Sequence, residues 1–362
     1  MKKRFLFFTL LLCVLSLSFA YPVHAEEPKE AVDRFIDMLP SAVKDGLGDT
    51  ESGVSEELYG IKFYLSYLMT ALTDDSGTLG AIFFRLVGVI LLYAVAERLT
   101  GRARDAVTLI FRLTLSLFLL ETAETCLSLS LRTLSDIRSL AEGMTAVFLP
   151  LFLAGGNAAA ATASGGGFSV FLFALSFLSD RLLSPLVRYF FAFTLVGGMG
   201  GVDLSGFAAT LKKTYLSLVS ILSLLFGFLL GTQTLFSSAA DTLSLRSVKF
   251  AVGNMIPVVG STVSGALGTL LSSVAYLRSF VGGAATASIF VILLPPLLHL
   301  YLVRLLFSLA SDVSAVVGSG SAKRLLLDFV AVFDILLATL ALSCLSLLFL
   351  VTAFLKCAVI AL

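Results

Sequence analysis

Apolar runs of about 18 residues or more recur along most of this 362-residue chain, each long enough to cross a hydrocarbon layer as a helix. Single crossings are expected over 78–96, 106–120, 144–163, 215–235, 281–310 and 329–355. The run 168–199 is too long for one straight crossing and carries Asp180, Arg181, Pro185 and Arg188 in its middle. It reads as a helical hairpin or as two short, broken helices. Between 106–120 and 144–163, Leu127, Leu131, Leu134 and Ala141 line one face of a stretch backed by Arg132, Asp136, Arg138 and Glu142. That pattern suits an interfacial amphipathic helix rather than a span. A second polar amphipathic stretch runs from Ser237 to Lys249. The fold class is therefore all-α and polytopic, with broken and interfacial helices and about seven spans, six to nine fitting the pattern.

The N-terminus follows a different rule. Lys2, Lys3 and Arg4 precede an apolar run from Phe5 to Phe19, and Val23-His24-Ala25 forms a small-residue cleavage site. Residues 1–25 read as a cleavable signal peptide, with an uncleaved anchor as the alternative, and on either reading the chain from Glu26 starts outside the cytoplasm. Residues 26–77 form a short acidic exported segment, and 78–362 the membrane domain. In the exported segment Val32, Phe35, Ile36, Leu39 and Val43 recur at helical spacing, with Pro40 breaking the helix. Leu58, Ile61, Leu65 and Leu68 make a second stripe.

Composition agrees with a lipid environment: 58% of residues are hydrophobic and 14% charged, against about 25% charged in soluble domains. There is no Trp, so the 9 Tyr and 31 Phe supply the interfacial and packing aromatics. The net charge of +1 hides an asymmetry. Residues 26–79 hold 12 acidic and 4 basic side chains, and those from 80 onward 12 acidic and 18 basic. Arg98, Arg102 and Arg104 form a basic loop and Lys212-Lys213 a second basic marker, which assigns those loops to the cytoplasm, and the basic pair Lys323-Arg324 lies between the last two spans. The bilayer is the evident partner, and no nucleic-acid surface is present. Cys126, Cys344 and Cys357 are too far apart for a disulfide framework or a metal motif.

Catalytic sets are missing. The chain lacks G-x-S-x-G, H-E-x-x-H and P-loop motifs, and beyond the signal peptide its single histidine is His299. An intramembrane hydrolase would have to use that residue. Following Pro295-Pro296, it reads as a polar contact in a kinked helix. No enzyme, cofactor or metal is expected. Charges inside apolar runs carry more weight because each is costly at the bilayer centre. Arg85, Arg112, Glu121, Arg304 and Asp334 qualify, and they either snorkel or pair internally, or Arg85 and Asp334 line a polar path. Gly227-x-x-x-Gly231 is a helix-packing motif.

One segment stands apart. Gly253, Asn254, Pro257, Gly260, Gly265 and Gly268, with Ser261, Thr262 and Ser264, interrupt an apolar run and make a poor membrane helix. Such a segment survives in a membrane only against protein or beside water, as a packing seam or as the wall of a path. The reading favoured here is a close-packed, partly broken helix at a subunit contact, with Pro257 setting the kink and Gly260 the approach.

Ser247-Val248-Lys249-Phe250, Gly253-Asn254-Met255-Ile256-Pro257-Val258-Val259-Gly260 and Ser264-Gly265-Ala266 together resemble the signature region of the stage III sporulation protein AE family. The layout of signal, acidic exported segment and long membrane domain is similar as well. Gly265 departs from the family pattern, which implies an acidic residue there. The resemblance implies a non-enzymatic multi-pass subunit of an export-apparatus-like channel complex joining mother cell and engulfed forespore, needed for late sporulation. It implies location in the mother-cell-derived membrane around the forespore. The implied partners are the other membrane proteins of the same stage III operon, their ATPase, and a forespore membrane protein of the stage II class. A homo-oligomer is compatible with it. A stand-alone permease for a small solute is the alternative that broken helices and intramembrane charges would support.

Overall fold

The computed structural model describes residues 28–45, 61–98, 104–154, 158–200, 206, 209–224, 227 and 260–356, and among these all regular structure is helical. The principal helices are α1 (Pro28–Met38), α2 (Ser41–Lys44), α3 (Ile61–Arg98), α4 (Arg104–Ala154), α5 (Ala158–Ser176), a π-helical segment (Phe177–Leu183) and α6 (Ser184–Gly200), then α7 (209–224), α8 (Gly260–Val317) and α9 (Gly320–Lys356). The signal peptide expected at 1–25 lies outside the described residues.

Among the described residues, four helices are long and apolar enough to cross a membrane: Lys62–Val95, Gly165–Phe193, Phe280–Val317 and Gly320–Thr352. About seven spans were expected, and the difference has identifiable sources. The expected spans 106–120 and 144–163, with the interfacial helix between them, are one continuous helix of 51 residues as far as Ala154. The run 168–199 does not fold back into a hairpin. It stays helical throughout, and its polar middle is absorbed as a π-helical insertion of 7 residues, a device that re-aims side chains without ending a helix. The expected span 215–235 is described only in part. Gly77 and Thr78, on either side of the expected domain boundary, both lie inside α3.

The break at Pro40 is present. Pro40 caps α2, receiving bonds from the Val43 and Lys44 amides at 2.9 and 3.0 Å. Val32, Phe35, Leu39 and Val43 are buried, and α1 docks on α4, with Met38 and Phe35 over Gly143. Each such side chain contributes about 1.5–3 kcal/mol of burial before ordering entropy is charged against it.

The chain reverses once with complete geometry on view, between α8 and α9. Gly318 has φ +89, a left-handed conformation that a side chain would strain. The Ser319 amide donates to the Ser314 carbonyl (3.0 Å) and the Gly318 amide to Ala315 (3.1 Å), the paired bonds of a Schellman C-cap. The Ser319 carbonyl then receives the Lys323 amide at 3.2 Å, starting α9. Below this turn α8 and α9 pack along their lengths. Leu326, Phe329, Phe333, Leu336 and Leu340 form the buried stripe of α9, and Phe307 meets Phe333 edge to face at 4.9 Å. Further along, Leu355 covers Gly282, where a Cβ would stand 3.0 Å from its Cγ.

Heights along the bundle can be read at 1.5 Å per residue. Tyr93, near the end of α3, shares a hydrogen bond of 2.5 Å with Ser321 at the start of α9. The end of α3 and the α8–α9 turn therefore sit at the same end of the bundle, where Arg98, Lys323 and Arg324 gather. Tyr64 meets Phe290 at 5.4 Å, so α3 and α8 run parallel. The continuous helix α5–π–α6 runs antiparallel to α9, with Phe191 stacked on Phe329 at 5.8 Å and Leu175 lining the same cavity as Ser343.

Candidate functional site

Two polar clusters tie α8 to its neighbours inside the bundle. The first centres on Asp334 of α9, whose carboxylate accepts from Arg304 Nε on α8 and from Lys212 Nζ on α7. Asp334 and Arg304 lie equally far from the Gly318 turn, about 21 Å along their helices. A carboxylate at that depth needs cationic partners, and here it has two. One helical turn beyond Lys212, the buried Tyr215 hydroxyl bonds Thr339 Oγ1 at 2.8 Å, fastening α7 to α9 a second time.

The second cluster centres on His299. Its Nδ1 meets the Asp75 carboxylate on α3, and its Nε2 lies 4.0 Å from Cys126 Sγ on α4. One imidazole thus joins three helices. Beside it lies a cavity of about 210 Å³, lined by Asp75, Leu129, Pro295, Pro296, His299 and Leu302. The two prolines lack the amides that would bond the carbonyls of Val291 and Ile292, so α8 is polar on its backbone here. The space suffices for several waters, which such freed carbonyls use in membrane helices. Among the described residues no group of three or more His, Cys, Asp or Glu is arranged to hold a metal ion.

A third polar zone lies on the outside. Arg138 on α4 donates to Ser176 Oγ at the mouth of the π segment and pairs with Glu142 at 3.6 Å. Arg188 on α6 reaches Glu124 on α4 at 3.9 Å. The polar-backed stretch of α4 and the polar middle of 168–199 are thus neighbours in space. Each looked like a local interruption of an apolar run, and together they are one surface.

The residues singled out from sequence fall in different places. Asp334 is in the first cluster. Arg85 is exposed on α3, and the ion-pair partners of Asp334 are Arg304 and Lys212. Gly260 is the first residue of α8, and Gly265 and Gly268 belong to the same unbroken helix. Gly253, Asn254, Pro257 and Gly231 lie outside the described residues. Gly227 is described, and nothing stands within 4 Å of the position its Cβ would take. Lys212, read as a loop marker, instead turns inward to Asp334. Sequence reasoning missed Asp75 and Lys212 as partners. Their only signal was a charge next to an apolar run, without any indication of which distant charge it would meet.

A family model described as Stage III sporulation protein AE matches residues 51–359. No curated protein and no solved structure matches the chain.

Proposed function

This chain belongs to the stage III sporulation protein AE family, and we propose that it is a non-enzymatic membrane subunit of the channel complex joining mother cell and forespore late in sporulation. The observation that carries the reading is the family match, which runs over nearly all of the chain beyond its N-terminal fifty residues. The helical bundle supports it in kind. Its interior charges are engaged with one another across helices, as in a packed membrane scaffold. Its place would be the mother-cell-derived membrane around the forespore. Its partners would be the membrane proteins of the same stage III operon, their cytoplasmic ATPase, and a stage II forespore membrane protein.

Gentle solubilisation of sporulating cells carrying an epitope-tagged chain tests this. The expected result is recovery of the tagged chain in a larger assembly with those operon products. Recovery of the chain alone, together with solute uptake by the purified protein in liposomes, would replace the subunit reading with that of a permease.

A further inference from the structure

We propose that α4 crosses the membrane as one wall of a water-filled path, with its polar face turned to the water and away from lipid. The inference rests on the membrane character of the chain and not on the sporulation reading.

From Glu121 to Glu142 every exposed position of α4 is either charged or a hydroxyl residue. The charges are Glu121, Glu124, Arg132, Asp136 and Glu142, while Leu127, Leu134, Ile137 and Leu140 of the same stretch are buried. On either side the helix exposes large apolar residues again, Leu109, Ile110 and Leu117 before the stretch and Leu153 after it. The polar face is about 32 Å long, close to the hydrocarbon thickness of a bilayer, about 30 Å.

This face runs at the depth of a candidate span. Glu124 reaches Arg188 at 3.9 Å, Arg138 donates to Ser176, and Phe148 stacks on Phe168 at 6.3 Å. α4 therefore lies antiparallel along most of Gly165–Phe193, and a bilayer crossed by the one helix is crossed by the other.

At a single height the bundle then has two kinds of side. Leu175 and Leu178 line one small cavity with Val219 and Leu222 of α7 and with Leu342 and Ser343 of α9. Ser176, and with it Arg138 of α4, stands level with them. Around that height α7 and α9 expose Leu218, Ile221, Leu224, Leu345 and Phe349. Their exposed hydroxyls, Ser220 and Thr352, donate to carbonyls of their own helices at 2.7 and 2.8 Å. α4 exposes Ser135, Asp136, Ser139 and Glu142 there. The two helices that flank α4 carry mixed faces, as seams between such sides do. On α3 Leu65 and Met69 stand among Lys62 and Asp74, and on α5–π–α6 Phe173 and Phe177 precede Asp180 and Arg181.

The charges on α4 select water over lipid. Its hydroxyls alone would not, because Thr125 donates to the Glu121 carbonyl at 2.9 Å and Ser128 to the Thr125 carbonyl at 2.8 Å. Exposed carboxylates and guanidiniums are excluded from hydrocarbon. Inside the bundle such groups are paired, Asp75 with His299 and Asp334 with Arg304 and Lys212. On the α4 face Glu121, Arg132 and Asp136 form no ion pair among the described residues. Charges at membrane depth without a protein partner take their solvation from a water-filled cavity.

The test is a nitroxide scan of the full chain in phosphatidylglycerol–phosphatidylethanolamine nanodiscs, on a background with the native cysteines replaced by serine. Labels at Thr125, Ser128, Ser135 and Ser139 should collide with a nickel chelate in preference to oxygen. Labels at Leu218, Leu224, Leu345 and Phe349 should show the reverse, with the ratio of the two accessibilities at least tenfold different between the sets. An impermeant maleimide should modify cysteines of the first set and spare those of the second. Oxygen-dominated collisions on α4 would mean that the face meets lipid, and protection from both reagents would mean that it is closed by protein. Nickel-dominated collisions in both sets would mean that this part of the bundle lies outside the membrane. Each of these three results overturns the proposal. Four positions in each set keep the result readable if one variant fails to fold.

Discussion

Replacing Asp334 with Asn removes one negative charge while keeping the shape of the side chain, so the loss reports charge rather than packing. The carboxylate holds Arg304 and Lys212 together about 21 Å from the α8–α9 turn. Removing one partner from a fully buried ion pair costs about 3–5 kcal/mol, because a charge is left without compensation. An exposed pair is worth at most about 1 kcal/mol. Here the side chains of Asp334, Lys212 and Arg304 are 17%, 33% and 35% exposed, which places the cost between those limits, about 2 kcal/mol. At about 2–4 °C per kcal/mol for a domain of this size, the midpoint should fall by roughly 4–8 °C. The chain has no Trp, so scanning calorimetry of the purified protein in mild detergent is the assay. Arg304→Gln alone should cost less, since Lys212 still neutralises the carboxylate. The double variant should cost less than the sum of the singles by about 1 kcal/mol. A loss below about 0.5 kcal/mol for Asp334→Asn, or strict additivity in the cycle, would refute the reasoning.

Other outcomes follow from single contacts. Gly282→Val should destabilise by about 1–3 kcal/mol, because the new side chain must displace Leu355 from the α8–α9 crossing, and Leu355→Ala should rescue part of that loss. Gly318→Ala should cost about 1 kcal/mol by thermal denaturation, from the positive φ alone. Tyr93→Phe removes the bond to Ser321 and should cost about 1 kcal/mol; an unchanged midpoint would mean that water replaces the hydroxyl. His299→Gln should lower stability by about 1–3 kcal/mol yet leave sporulation intact at permissive temperature. Loss of sporulation from a folded His299→Gln protein would point to chemistry at that imidazole.

Local periodicity was enough to find most of the helices and little of what joins them. The stripe Val32, Phe35, Leu39, Val43 and the break at Pro40 are present as read, because both depend on a few adjacent residues. The continuity of α4 was not legible. Its polar-backed middle looks interfacial until α1 and α5 are seen covering its apolar face. The π segment was legible as an interruption at Asp180 and Arg181, but not as one that keeps the helix running. The pairs that fasten the bundle were out of reach, since His299 and Asp75 are 224 positions apart and Lys212 and Asp334 are 122. Nothing in a single sequence says which of many isolated charges meet. The signature segment from Gly253 identified the family without its geometry, and only its portion from Gly260 onward is described, as an unbroken helix.

The central claim is the role in late sporulation, and the direct measurement is a late forespore-specific transcriptional reporter in the native host. Cells lacking this chain should complete engulfment and then fail to raise the reporter, and an ectopic copy of the wild-type chain should restore it. Normal reporter activity and normal spore yield without the chain would contradict the account.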